Sequence, residues 1–425
     1  MPSRGFPIDK AKRTRVLVLV FALATSLPSA GARGQSTGAP SQPWLAYSGS
    51  AFSVAFGGAA LLEVPAFSQD AASIQQVGDL TSFETGEIRA LRIGIGGTIN
   101  FKRPWRYIFA GAYRAFDQGF NTDTSQVFTI FDVALAVPIG DLGTITVGKM
   151  KEPISLVRLT PLSWYPLAER PAHLDAMLPA RNIGVTFSSV LFDRRATLTV
   201  GYFNPWLDLE VPFSESNNQV IGRATWLPVS QPDARRFVHL GAGARYSDTK
   251  IGYAQFRVGP ESFFAPKFVD TDSIPADHML TVGLEASAIL GPVWLNSEYL
   301  QSRVSSPVSG DPRFHGFHLN AAWLVTGESH GYDRTRAVVQ RVRPRHNATD
   351  GGIGAIEVTA QWSRVDLTSG SIEGGVMDRV STSVNWYPTA NSRLEANYGY
   401  AILDRFELVG HTHTFQLRLT LLMGS

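Results

Sequence analysis

Apolar and polar residues alternate with period two over stretches of about ten residues, from residue 45 to the C-terminus. Phe415, Leu417, Leu419, Leu421 and Met423 share one face of such a stretch, with Gln416, Arg418 and Thr420 on the other. Ile356, Val358, Ala360 and Trp362 likewise oppose Glu357, Thr359, Gln361 and Ser363. Sixteen segments follow this rule, at about 45–67, 85–99, 105–116, 126–138, 143–151, 181–191, 195–204, 218–228, 236–247, 278–290, 292–304, 313–325, 353–367, 375–387, 391–403 and 411–423. Tight turn sequences join some neighbours: Asn100–Pro104, Gly140–Leu142, Asp193–Arg194, Gly291–Pro292 and Thr389–Asn391. Longer loops alternate with them at 68–84, 117–125, 152–180, 205–217, 248–277 and 404–410. Residues 326–352 break the alternation, since a long segment stands where a tight turn belongs, and they read as a solvated turn.

Short turns at one rim and long loops at the other predict an all-β fold, a 16-stranded antiparallel transmembrane β-barrel spanning residues 45–425. In lipid every backbone N–H and C=O must pair within the protein, so strands can span only as a closed sheet. The outer face must then be apolar, while the inner face of a wide barrel can be wet. The inner rows are rich in Gly, Ser, Thr and Asn, which would pack poorly as a dry core. Aromatic residues such as Trp105, Trp226, Trp294, Trp323 and Trp386 sit near segment ends, where interfacial girdles form.

The N-terminus carries a different signal. Arg4, Lys10, Lys12, Arg13 and Arg15 precede an apolar run, Val16–Leu27, and Ala30-Gly31-Ala32 supplies small residues at a cleavage site. The run is shorter than the ~20 residues a spanning helix needs, so residues 1–32 read as a secretory signal peptide and 33–44 as a flexible leader. Cleavage removes five basic residues and one acid, so the formal charge of +2 becomes −2. Nothing in that balance suggests nucleic acid as a partner. Cysteine is absent, so no disulfide contributes to stability.

Parity along the strands places Arg92, Arg106, Arg114, Arg223, Arg245, Arg379, Arg393 and Arg418 on the inner face, with Asp132, Glu285, Glu298, Glu357 and Glu395. An arginine on the lipid face at the midplane would cost about 2–4 kcal/mol, which favours the inward assignment. A modest cationic excess in a pore favours small anions, and the guanidinium fork suits phosphate-like solutes. The same residues could instead pair with those carboxylates as struts. Loop 152–180 is the expected constriction, with Arg158 and Arg170 in it, Lys149 and Lys151 at its entry and Arg181 at its exit. Strict alternation puts both lysines on the side of Ile145 and Val147, so they face the pore only if the strand is irregular near Gly148. No nucleophile, metal or cofactor motif stands out, and the chain does not read as an enzyme.

Several motifs resemble those of the phosphate- and polyphosphate-selective porin family, the porin O/P family. They are Ile88–Arg92 followed by Gly96-Gly97, Val147–Pro153, Ala168–Pro171, Trp323–Glu328 followed by Tyr332, Gly354–Glu357 with Ser363–Leu367, and Asn385–Pro388. Their order holds across residues 85–423. The resemblance implies an outer-membrane porin, a passive diffusion channel for small anions that could include phosphate or polyphosphate. It also implies a homotrimer, an inward-folded loop 3 and an arginine- and lysine-lined passage. The alternative is a structural or ligand-binding outer-membrane barrel with an occluded lumen.

Overall fold

A computed structural model of the chain describes residues 45–84, 86–113, 128–209 and 212–424. Among them sixteen long antiparallel strands form one closed sheet. They are β1 (Phe52–Gln69), β2 (Glu87–Ile99), β3 (Trp105–Tyr113), β4 (Phe128–Ile139), β5 (Gly143–Met150), β6 (Asn182–Leu191), β7 (Ala196–Asn204) and β8 (Gln219–Gln231), then β9 (Arg236–Asp248), β10 (His278–Leu290), β11 (Val293–Ser305), β12 (Arg313–Leu324), β13 (Ala355–Ser369), β14 (Ile372–Thr389), β15 (Ser392–Arg405) and β16 (Leu408–Met423). Each strand pairs with its sequence neighbours, and β1 closes the ring on β16 with Glu63 opposite Arg418. Closure removes the sheet edges that lipid could not satisfy.

The apolar rows form the outer face, where Leu284, Leu319, Leu417 and Phe415 are exposed, while Glu285, His318, Gln416 and Arg418 between them are buried. No helix among the described residues is long and apolar enough to cross a membrane. The expected loop at 404–410 is instead a two-residue turn, in which Phe406 and Glu407 both take positive φ (59° and 57°). Two positive-φ residues match the right-handed twist of a hairpin. Without Gly or Asn there, the sequence carries no signal for the turn.

Much of the inner face is covered. Segment 151–181 carries two short helices, Leu156–Leu159 and Ala172–Met177, and bonds to side chains of the opposite wall. The Val157 amide donates to Glu298 (2.7 Å), Asn385 donates to the Pro166 carbonyl (2.7 Å), and Tyr165 Oη donates to Gln361 (2.6 Å). Ile154, Leu156, Leu174 and Met177 join Phe256 and Phe268 of segment 249–277 and inward Phe203, Trp294 and Phe314 in one apolar cluster.

Residues 326–352 are not a solvated turn. Tyr332–Asp333 pairs with Val338–Val339 as a small hairpin, and Ala337, Val338 and Val339 are buried. Arg223 donates to the Ala337 carbonyl (3.2 Å), and Tyr332 Oη lies 2.7 Å from His239 Nδ1. The Arg-rich composition hides a short apolar insert, Ala337–Val339, that needs cover.

Candidate functional site

Five of the inward arginines meet an acid, either on the wall or on an inserted segment. Arg223 faces Glu285 with two parallel bonds of 2.7 Å. Arg245 donates to Glu152 (2.7 Å), Arg393 lies 3.0 Å from Glu395, and Arg379 lies 3.5 Å from Glu261. Arg418 bonds both Glu63 and Glu169, the latter at 2.7 Å. All five guanidinium side chains are at most 4% exposed. Each is therefore a neutralised strut joining wall to wall or wall to an inserted segment. Arg114 lies outside the described residues.

The cations of segment 149–181 divide by role. Arg158 is an internal staple: it bonds Asp175 and donates to the carbonyls of Leu178 (2.7 Å) and Pro179 (3.1 Å). Arg170 and Lys151 converge on the Thr160 carbonyl, at 2.9 and 3.3 Å. Glu169 anchors the segment to the wall between Arg89 (2.5 Å) and Arg418. Burial alone would raise its pKa, but the two guanidiniums outweigh that and pull it down to about 2. Lys149 is buried. The preceding Gly148 has φ +135°, and a Cβ there would stand 1.9 Å from the Val133 carbonyl oxygen. Lys149 nevertheless keeps its register opposite Val133 and Ile183.

A second group lies where the inner wall is not fully covered. Arg181 donates to Asp132 through two bonds (2.7 and 3.1 Å), and its guanidinium carbon sits 3.3 Å from the centroid of Phe131. Arg92 approaches the same ring at 4.3 Å. Asp132 pairs with Ala110, and the next residue, Val133, pairs with Lys149, so these groups lie at one height on adjoining strands. Along this side the inward Thr98, Arg106, Ala134, Thr146 and Ser188 stay partly exposed, whereas the inward rows of β8–β16 are largely buried.

Sequence reasoning found Arg92 and Arg181 but not Phe131, which alternation assigns to the lipid row; a register shift between Ala110 and Gly111, opposite Asp132 and Ile130, leaves it out of the ladder and buried. Arg89 was also missed. A register shift between Leu61 and Leu62 on β1, opposite Ala90 and Ile88, lets Arg89 as well as Arg92 reach the interior. The acids Glu63, Glu152, Glu169 and Glu261 became partners only through contacts distant in sequence.

The sequence profile described as "Phosphate-selective porin O and P" matches residues 66–420. The chain belongs to this family. The porin is 26% identical over 269 residues to an uncharacterized protein of Caulobacter vibrioides, covering 60% of this chain and 53% of that one, so it spans about half the length of that curated relative. Solved structures share the barrel. The anion-selective porin from Comamonas acidovorans is 14% identical, with a TM-score of 0.52 over 88% of this chain and 100% of that one. OmpT of Vibrio cholerae in its trimer form is 12% identical, with a TM-score of 0.54 over 88% and 100%. Salmonella typhi OmpF is 10% identical, with a TM-score of 0.54 over 89% and 100%. At these identities the likeness shows the fold. Family and fold together place the porin in the outer membrane.

Proposed function

We propose that the porin is a passive diffusion channel for small anions, whose path follows the inner side of β2–β7 and is narrowed by segment 151–181. The observation that carries this reading is the pair of guanidiniums on Phe131, Arg92 and Arg181, beside the uncovered part of the wall. The ring packs on one face of each guanidinium; Arg181 is held there by its two bonds to Asp132, and Arg92 beside it stays partly exposed. Arg106 lies further along the same wall, toward the turn at 100–104, and is exposed. Phosphate or polyphosphate suits the donor geometry of this side. The buried arginines 223, 245, 379, 393 and 418 act in this reading as structure, and Lys149, Lys151, Arg158 and Arg170 position the narrowing segment. The anion-selective Comamonas neighbour and the trimer form of the Vibrio neighbour agree with an anion-passing homotrimer. Export by a signal peptide at 1–32, with a leader at 33–44, fits an outer-membrane destination.

Reversal potentials of the folded protein in planar bilayers, under a KCl gradient, test this. Discrete steps with chloride preferred over potassium are expected, and Arg92→Gln with Arg181→Gln should reduce that preference severalfold. Preference for potassium in the native protein would refute the anion reading. The second reading, an occluded ligand-binding barrel, draws on the apolar cluster inside the wall. It predicts no conductance steps in the same recording.

A further inference from the structure

The lipid-facing side carries an arrangement that conduction does not require. Arg303 on β11 and Arg313 on β12 are direct cross-strand partners. Both point outward, since their neighbours Ser302 and Phe314 are fully buried and inward. They lie at the rim that also bears segments 151–181 and 249–277. Like charges directly opposite each other destabilise a strand pair unless a counter-charge lies between them. The protein supplies little of that charge. Asp311 reaches Arg303 only at 3.4 Å and accepts the Ser306 amide at 2.9 Å. Asp366, opposite His315, accepts the Thr368 amide of its own turn (3.0 Å). Arg313 has no ion pair among the described residues and is exposed.

His278 and His315 flank the arginines, each against a tyrosine: Tyr246–His278 at 5.6 Å and Tyr299–His315 at 6.3 Å between ring centroids. Such amphipathic rings favour the headgroup level of a bilayer. On the same strands below them lies an apolar concavity of about 630 Å³, lined by Leu240, Ala288, Leu295, Leu319, Ala321 and Trp362 among others. From Arg313 to Leu319 the strand runs roughly 20 Å. At a tilt of about 45° that is a depth of ~14 Å, close to half of the ~30 Å hydrocarbon core. The concavity therefore sits where the chain ends of an outer-leaflet lipid lie when its headgroup is at the arginines.

We propose that this face of β9–β14 is a binding site for a phosphorylated glycolipid of the outer leaflet, with phosphate between Arg303 and Arg313 and an acyl chain in the concavity. Two guanidiniums meet one phosphate with charge-assisted bonds, which removes the repulsion built into the strand pair. The site depends on the outer-membrane setting and not on the conduction reading, so either can fail alone.

Native mass spectrometry of the full mature porin in neutral detergent, titrated with diphosphoryl lipid A, tests the site. Bound adducts are expected, with at least tenfold weaker binding to the Arg303→Gln/Arg313→Gln variant and to the native protein when the lipid is dephosphorylated. Heat-modifiable mobility confirms that the variant is folded. Ala321→Trp, which fills the concavity and leaves both arginines, should also weaken binding severalfold. Equal binding of phosphorylated and dephosphorylated lipid overturns the proposal, as does unchanged binding by the arginine variant. So does an arginine variant that loses subunits from the assembly without losing lipid, since a second copy of the chain would then be the occupant.

Discussion

Replacing Glu169 by Gln removes the negative charge that ties segment 151–181 to the barrel wall. Arg89 would then lose its two-bond partner and Arg418 one of its two carboxylates, in a site where all these side chains are almost fully buried. The two guanidiniums hold the Glu169 pKa down at about 2, below its ordinary 4.5. Removing one member of a buried ion pair costs about 3–5 kcal/mol in general, because the remaining charge is left uncompensated. The pKa is depressed in the folded state, so this stabilisation is complete above the unfolded value near 4.5 and is lost as pH falls toward 2. Urea unfolding of both proteins in lipid vesicles, followed by tryptophan fluorescence and heat-modifiable mobility, should give a gap of about 3–5 kcal/mol at pH 7 that closes as pH approaches 2. The difference between the two proteins isolates Glu169 from the other carboxylates that titrate in this range. A gap of the same size at both ends of the range, or none at pH 7, would refute the assignment of Glu169 as an ionised anchor.

Two further substitutions probe the wall. Gly148→Ala must bring its Cβ against the Val133 carbonyl at a φ of +135° and should destabilise the barrel by about 1–3 kcal/mol; native stability in the same unfolding assay would refute the requirement for glycine there. Arg223→Gln leaves Glu285 buried without its two-bond partner and should cost about 3–5 kcal/mol, with Arg223→Met/Glu285→Leu less damaging than the single change in the same unfolding assay. A double variant at least as unstable as the single one would mean that the ion pair itself contributes net stability.

The barrel and its inside–outside pattern were legible in the chain because period-two alternation is a local property. Every aliphatic row facing lipid leaves a polar row facing in, and the inward placement of arginines 92, 106, 223, 245, 379, 393 and 418 follows from counting. Export and the family resemblance were equally local, resting on an N-terminal run and short ordered motifs. What those inward arginines do was not local. Whether Arg418 is a solute ligand or a strut depends on Glu63 and Glu169, which lie hundreds of residues away along the chain and meet it only when β1 closes on β16 and segment 151–181 docks. Parity failed at Phe131 and near Arg89, where register shifts change the facing of a side chain without leaving a mark on the alternation. The inserted hairpin at 332–339 was hidden by the arginines around it, because its apolar residues are too few to give a period. Strand direction and facing are thus fixed by the one-dimensional pattern and the lipid solvent. Charge compensation inside the barrel is a pairwise matter of a few ångströms, and only closure of the sheet and docking of the inserted segments bring those pairs together.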